Sequence, residues 1–85
     1  MERAIAEAPR YKAKLYNFFI DKQLIGTIEE ATWYDENGNK AYYVNSLTLI
    51  DKNNCLTQYI QNFEDGVAKL FNHLRYKKPW NSNKL

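Results

Sequence analysis

Residues 24–50 read LIGTIEEATWYDENGNKAYYVNSLTLI, and this stretch predicts a β-hairpin. β-Branched and aromatic side chains, which favour strands, lie on both sides of a polar segment rich in turn-forming residues. Within that segment, Asn37-Gly38 is a dipeptide that readily supplies the positive φ angles of a tight hairpin. We therefore expect two antiparallel strands, over about residues 24–34 and 40–50.

One further strand is predicted on each side of this hairpin. Residues 11–20 alternate polar and apolar side chains and then become almost continuously apolar, and residues 55–61 follow a polar turn at 51–54. Residues 1–10 are rich in alanine, but the segment before Pro9 is too short to form a stable helix alone. The sequence therefore predicts four strands preceded by a flexible or helical N-terminal arm.

The C-terminal third of the chain carries the signals of a single helix. Asn62 is a typical N-cap residue, and Pro79 is expected to end the helix. Four apolar residues follow the helical spacing i, i+3, i+4, i+7 and predict one apolar stripe: Val67, Leu70, Phe71 and Leu74. The predicted fold is an α+β domain over residues 11–78, a four-stranded antiparallel β-meander packed on one face by a C-terminal α-helix, with residues 79–85 as a polar tail.

Composition restricts the class of protein. The chain has 85 residues, enough for one domain, and its formal net charge of +2 is lower than that of most dedicated duplex-binding proteins. A single cysteine, Cys55, excludes an intramolecular disulfide and favours a reducing, cytoplasmic location. No apolar run approaches the roughly 20 residues that cross a bilayer, so we expect no membrane partner.

The residues that carry catalysis are scarce in this chain. The one histidine, His73, is predicted to lie in the middle of the helix, whereas Cys55 begins a strand. Glu29 and Glu30 are neighbours on a strand, so their side chains should point to opposite faces. The sequence therefore predicts a protein that is not an enzyme, with no catalytic residues, no metal site and no cofactor.

Aromatic residues are too numerous for one sheet face to bury. Phe18-Phe19, Trp33-Tyr34 and Tyr42-Tyr43 are adjacent pairs, so one member of each pair should point away from the helix. Tyrosine and tryptophan are enriched in protein interfaces. The leading hypothesis is a small protein-binding regulator or inhibitor, of the kind that phages and other mobile elements encode, which binds a protein or ribonucleoprotein. Its predicted contact residues are Tyr16, Phe18, Trp33, Tyr34, Tyr42 and Tyr43.

Basic residues interleaved with aromatic ones support an alternative hypothesis, a nucleic-acid-binding module. Its predicted contact residues are Arg10, Lys12, Lys14, Arg75, Lys77, Lys78 and Trp80. The same residues have simpler interpretations: Lys12 and Lys14 could protect an edge strand from sheet-to-sheet pairing, and the C-terminal group could complement the helix dipole. A homodimer formed through an edge strand is a third hypothesis.

Overall fold

The computed structural model describes the backbone of residues 1–51 and 54–83, and the side chains of residues 1–51 and 54–75. In chain order the elements are β1 (Glu2–Ala8), β2 (Tyr11–Ile20), β3 (Gln23–Tyr34), β4 (Lys40–Asp51), β5 (Asn54–Tyr59) and α1 (Phe63–Asn83). The strands form one antiparallel sheet in the order β1-β2-β3-β4-β5. The predicted α+β class and C-terminal helix are confirmed, but the described residues form five strands instead of four.

The additional strand is β1, which lies where the sequence predicted a flexible or helical arm. β1 pairs with β2 over its whole length, from Glu2 opposite Asn17 to Ala8 opposite Tyr11. Alanine has a high helix propensity, but this local preference is small in energy and tertiary pairing can override it. Without β1, β2 would present a row of unpaired backbone hydrogen-bonding groups, and β1 pairs with them. The pairing makes β2 an interior strand, so the interpretation of Lys12 and Lys14 as residues that protect an edge strand is wrong.

Two tight turns keep the meander in register. Asp21 and Lys22 both have positive φ angles, 51° and 67°, as a two-residue hairpin turn requires. In the turn between β3 and β4, Gly38 has a φ of 85°, and Asp35 Oδ1 accepts a hydrogen bond from the backbone N–H of Asn37 at 2.9 Å. The predicted turn is confirmed, although only Gly38 of the Asn37-Gly38 pair has a positive φ angle.

The core lies between α1 and one face of the sheet. Its buried residues are Ile28, Leu47, Leu49, Ile60 and Leu70. Gly66 lets the helix approach closely, because a Cβ atom there would lie 2.6 Å from Ile60 Cδ1 and 2.9 Å from Ile28 Cδ1. Asn45, a buried polar residue, donates from Nδ2 to the Gln61 carbonyl at 3.1 Å and ties β4 to the segment before the helix.

The apolar stripe of α1 differs from the predicted one at a single position. Phe63, Val67, Leu70 and Leu74 pack against the core. Phe71 is exposed, because it is rotated about 100° around the helix from the buried Leu70. Phe63, one turn before Val67, extends the stripe instead.

Capping starts the helix as predicted. Asn62 Oδ1 accepts a hydrogen bond from the Asp65 backbone N–H at 2.8 Å, and Asp65 accepts one from the Gln61 N–H at 3.1 Å. Hydrogen bonding from Lys69, followed by that from Gln61, lowers the pKa of Asp65. The prediction that Pro79 ends the helix is wrong, because α1 continues to Asn83.

Candidate protein-binding surface

The sheet face opposite α1, called here the open face, is defined by the register of the strands. Ile28 and Leu47 are paired and point towards the helix. Because side chains alternate along a strand, Trp33 on β3 and its partner Tyr42 on β4 point to the open face. Tyr11 is paired with Trp33 from the other side, so three aromatic residues lie side by side across β2, β3 and β4.

These rings form a continuous ladder. The ring centroids of Tyr11 and Trp33 are 4.5 Å apart, and those of Trp33 and Tyr42 are 5.8 Å apart with nearly parallel planes. The exposed fraction is 37% for Trp33 and 56% for Tyr42. Tyr59 on β5 faces the same side and borders the same shallow recess. We call Tyr11, Trp33, Tyr42 and Tyr59 the aromatic patch.

Tyr11 also covers part of the open face. Its hydroxyl donates a hydrogen bond to Glu29, which lies two side-chain rows away on the same face. The ring must therefore pass over the intervening row, where Ala13 and Ala31 are only 2% and 4% exposed. Hydrogen bonding to Glu29, with some desolvation, raises the pKa of Tyr11 to about 12. The hydrogen bond to Glu29 thus holds the Tyr11 side chain along the open face.

Charge distinguishes the open face from the helix-bearing face. Among the described positions that alternate onto the open face in the regularly paired part of the strands, Glu2 and Glu29 are acidic and none is Lys or Arg; Lys40 is paired with Tyr34 beyond the irregularity that follows Trp33. Arg3, Lys12 and Lys14 all alternate onto the helix-bearing face. The aromatic patch is therefore apolar, with one carboxylate at its border.

Tyr16 and Phe18, which the sequence predicted as contact residues, lie on the helix-bearing face. The ring of Tyr16 packs edge-on against Phe63 of α1 with centroids 4.8 Å apart, and the Phe18 ring lies 6.4 Å from the same residue. The Tyr16 hydroxyl donates to Glu30 at 3.1 Å. Both rings thus help to hold the helix and are not brought together with Trp33 and Tyr42.

Tyr34 and Tyr43 form a separate group. They line a recess on the helix-bearing face with Lys12 and Lys14, beyond the part of that face that the helix covers. Trp33 and Tyr42 face away from the helix whereas their neighbours do not, as the adjacent pairs predicted. The six predicted contact residues are therefore divided among three places, and only Trp33 and Tyr42 belong to the aromatic patch.

Two of its members, Tyr11 and Tyr59, were not among the predicted contact residues. Both are aromatic residues on strands, which is the signal that could have found them. Their inclusion depends on strand register, however, because Tyr11 is placed beside Trp33, and Tyr59 beside Ser46, only by the pairing of the strands.

The predicted nucleic-acid contacts do not form one described surface. Lys12 and Lys14 share a face, as expected. The first turn of the helix lies over Ile28 at Gly66, and one turn later Leu70 lies over Gly26. Lys14 is paired with Glu30, on the other side of Ile28 from Gly26. The helix therefore runs away from Lys14, and Arg75 lies farther along in that direction. Arg10 lies in the turn between β1 and β2 and shares a shallow recess with Lys12. The side chains of Lys77, Lys78 and Trp80 lie outside the described residues.

The residue pairs considered for catalysis are separated by the sheet. Cys55 alternates with Leu56, the partner of Leu49, so it points to the open face, whereas His73 is on α1 across the sheet. Glu29 and Glu30 bond to tyrosines on opposite faces. Among the described residues, no group of three or more His, Cys, Asp or Glu is arranged to hold a metal ion.

Comparison of the chain with protein-family models, curated proteins and solved structures finds no match. Within the described part of the chain, no helix has both the length and the apolar character needed to cross a membrane.

Proposed function

We propose that this protein is a binding regulator or inhibitor whose partner protein docks on the aromatic patch. The observation that supports this proposal is the stacked pair Trp33 and Tyr42, half exposed on a sheet face that no described element covers. Such rings offer a large, rigid and amphipathic contact area that loses little conformational entropy when it is buried. They are also the residue types that dominate binding energy in protein interfaces.

The patch favours a partner with a particular chemistry. Its centre is aromatic, and beside it lie the small residues Ala13 and Ala31, which do not project from the sheet beneath Tyr11. Glu29 is the carboxylate at its border and already accepts the Tyr11 hydroxyl. A partner that inserts apolar or aromatic side chains against Trp33 and Tyr42, and places a basic group near Glu29, would complement both features.

A nucleic-acid partner is less well supported at this surface. Binding of single strands combines ring stacking with a cationic groove that follows the phosphates. The regularly paired part of the open face offers rings without Lys or Arg, and Lys12 and Lys14 lie on the other face. Rings and cations are thus on opposite sides of the sheet, which favours a protein.

The experiment compares two adjacent tyrosines. Tyr42 and Tyr43 are 56% and 61% exposed but lie on opposite faces, so Tyr43→Ala is a matched control for Tyr42→Ala. Each purified variant is used to capture partners from lysate of the cells that encode the chain, and the partner is then titrated. We expect Tyr42→Ala, and likewise Trp33→Ala, to weaken binding by about 2 kcal/mol or more, and Tyr43→Ala to have little effect.

Three outcomes would contradict the proposal. Equal losses for Tyr42→Ala and Tyr43→Ala would show that the face does not matter, and full binding by the double variant Trp33→Ala/Tyr42→Ala would remove the patch from the interface. Capture that is lost after nuclease treatment, with affinity that falls steeply as salt increases, would identify a nucleic-acid partner instead. Circular dichroism of each variant checks that the fold is intact.

A further inference from the structure

β1 is an edge strand whose outward backbone groups can be identified. The Arg10 carbonyl accepts a hydrogen bond from the Tyr34 N–H at 2.8 Å, so Arg10 bonds towards β3. Residues of an interior antiparallel strand bond alternately to its two neighbours, so Tyr11 bonds towards β1, to its partner Ala8. The backbone groups of every second residue of β1 before Ala8, which are the even-numbered residues, therefore also bond inward to β2. The backbone N–H and C=O groups of Arg3, Ile5 and Glu7 therefore point outward from the sheet.

The side chains of these three residues form a pattern that is complementary to itself. All three are exposed, and Ile5 is 77% exposed. If a second copy pairs antiparallel about a two-fold axis at Ile5, Ile5 opposes Ile5, and Arg3 of each copy opposes Glu7 of the other. We propose that the chain forms a homodimer in this register, through β1 edges that join two sheets into one of ten strands. The pairing would use the outward backbone groups and form two Arg–Glu cross-strand pairs.

Other registers lack this complementarity. Outward groups meet only if the pairing shifts by two residues at a time. A shift in one direction places Arg3 opposite Pro9, which has no N–H to donate. A shift in the other direction places Glu7 opposite Met1 and Arg3 opposite Ile5, so both ion pairs are lost. The register centred on Ile5 is the one that satisfies backbone and charge together.

The other edge of the sheet lacks a comparable signal. β5 reads NCLTQY and contains no charged residue, so it offers no ion pair that would select one register with a second copy. β1 reads ERAIAEA, with opposite charges spaced symmetrically about its central isoleucine. Charge complementarity therefore assigns the dimer contact to β1.

The dimer has a geometric consequence for the open face. A two-fold axis through paired antiparallel strands at Ile5 is perpendicular to the sheet, so both open faces lie on the same side. The two aromatic patches would then be presented together.

This inference does not depend on the proposed function, because β1 contributes none of the four residues of the aromatic patch. The contact is small, so we expect a dissociation constant in the micromolar range or weaker.

The experiment uses charge reversal and mixing. Arg3→Glu places Glu opposite Glu7 in both halves of the dimer, and Glu7→Arg places Arg opposite Arg3. Sedimentation velocity over a concentration series should show wild-type chains approaching the mass of two copies. We expect each variant alone to have a dissociation constant at least about tenfold higher. An equimolar mixture of the two should recover wild-type association, because every cross-strand pair in the mixed dimer is then of opposite charge.

A second pair of variants covers the case in which one of these substitutions disturbs the fold, since Glu7 also lies opposite Lys12 within the chain. Ile5→Lys and Ile5→Glu each place like charges opposite one another at the two-fold axis, and their mixture places opposite charges there. Leu56→Lys, an exposed position on β5, is the control and should leave association unchanged. Wild-type chains that remain monomeric to about 1 mM, mixtures that fail to associate, or loss of the dimer in Leu56→Lys would each overturn the proposal.

Discussion

The two faces of the sheet bury their central residues in different ways. On the helix-bearing face, Ile28 and Leu47 lie fully buried beneath α1. On the open face, Ala13 and Ala31 are almost as inaccessible, although no described element packs over them. We attribute their burial to the Tyr11 side chain, which must pass over their row to reach Glu29. A helix removes large aliphatic side chains from water, whereas a ring laid along a sheet can cover only small ones.

This difference is the reason that we assign stability to the helix-bearing face and propose binding at the open face. The contacts under α1 are buried and closely packed. A Cβ atom at Gly66 would lie only 2.6 Å from Ile60 Cδ1, which shows how closely the helix approaches the core. The rings of Trp33 and Tyr42 on the open face are instead 37% and 56% exposed. A partner can therefore gain contact area on Trp33 and Tyr42 without displacing anything from the core.

Leu70→Ala tests the helix-bearing face and should have the largest effect on stability. Leu70 is buried and contacts Gly26, so truncation removes apolar contacts and leaves a cavity between helix and sheet. We expect the free energy of unfolding to fall by about 3 kcal/mol, measured by urea denaturation. Phe71→Ala, the adjacent exposed residue, should change it by less than about 0.5 kcal/mol. If Phe71→Ala lowers the free energy of unfolding more than Leu70→Ala does, Phe71 and not Leu70 faces the core.

Asn62→Ala tests how much the N-cap of α1 contributes to the stability of the helix-bearing face. The substitution leaves the Asp65 backbone N–H without its side-chain acceptor, so the free energy of unfolding should fall by about 1 kcal/mol. Asn72→Ala makes the same change at an exposed position within the helix, where alanine is the better helix former, and should cost nothing. Equal costs at both positions would mean that capping does not contribute.

Local signals in the sequence identified most elements of the fold. Turn chemistry located the hairpin around Gly38, and the cap located the start of α1 at Asn62. Alternation predicted that one member of each adjacent aromatic pair points away from the helix, without identifying which one. These features depend on residues close together in sequence. β1 was not identified as a strand because its alanines carry a helical preference, which pairing with β2 overrides.

The candidate surface was predictable only in part for the same reason. Alternation can say that Tyr16 and Phe18 lie on one face, but it cannot say that this face receives Phe63 of α1. The place of Tyr11 beside Trp33 likewise follows from the register of β2 with β3, which their two-residue turn and an irregularity within β2 set together. Contacts between distant segments decide which aromatic residues hold the helix and which remain exposed.

Tyr11→Phe tests the open face and should have the smallest effect. Removing the hydroxyl that bonds to Glu29 should lower the free energy of unfolding at pH 8 by less than about 1 kcal/mol, because the pair is partly exposed to solvent. The clearer signature is its dependence on pH. The pKa of Tyr11 is raised to about 12 in the folded chain, against an ordinary value of 10.0 that we take for the unfolded chain, so the fold favours the neutral phenol.

The stabilisation from this hydroxyl should therefore be complete below pH 10 and disappear as the pH rises from 10 to 12. Urea denaturation across that range should show the wild-type chain losing its advantage over Tyr11→Phe. Glu29→Gln removes the charge that holds the proton, and should by itself bring the pKa of Tyr11 back towards its ordinary value, seen in the ultraviolet absorbance of the phenolate. If wild type and Tyr11→Phe lose stability in parallel through this window, the Tyr11–Glu29 bond does not hold the ring against the sheet, and the burial of Ala13 and Ala31 must have another cause.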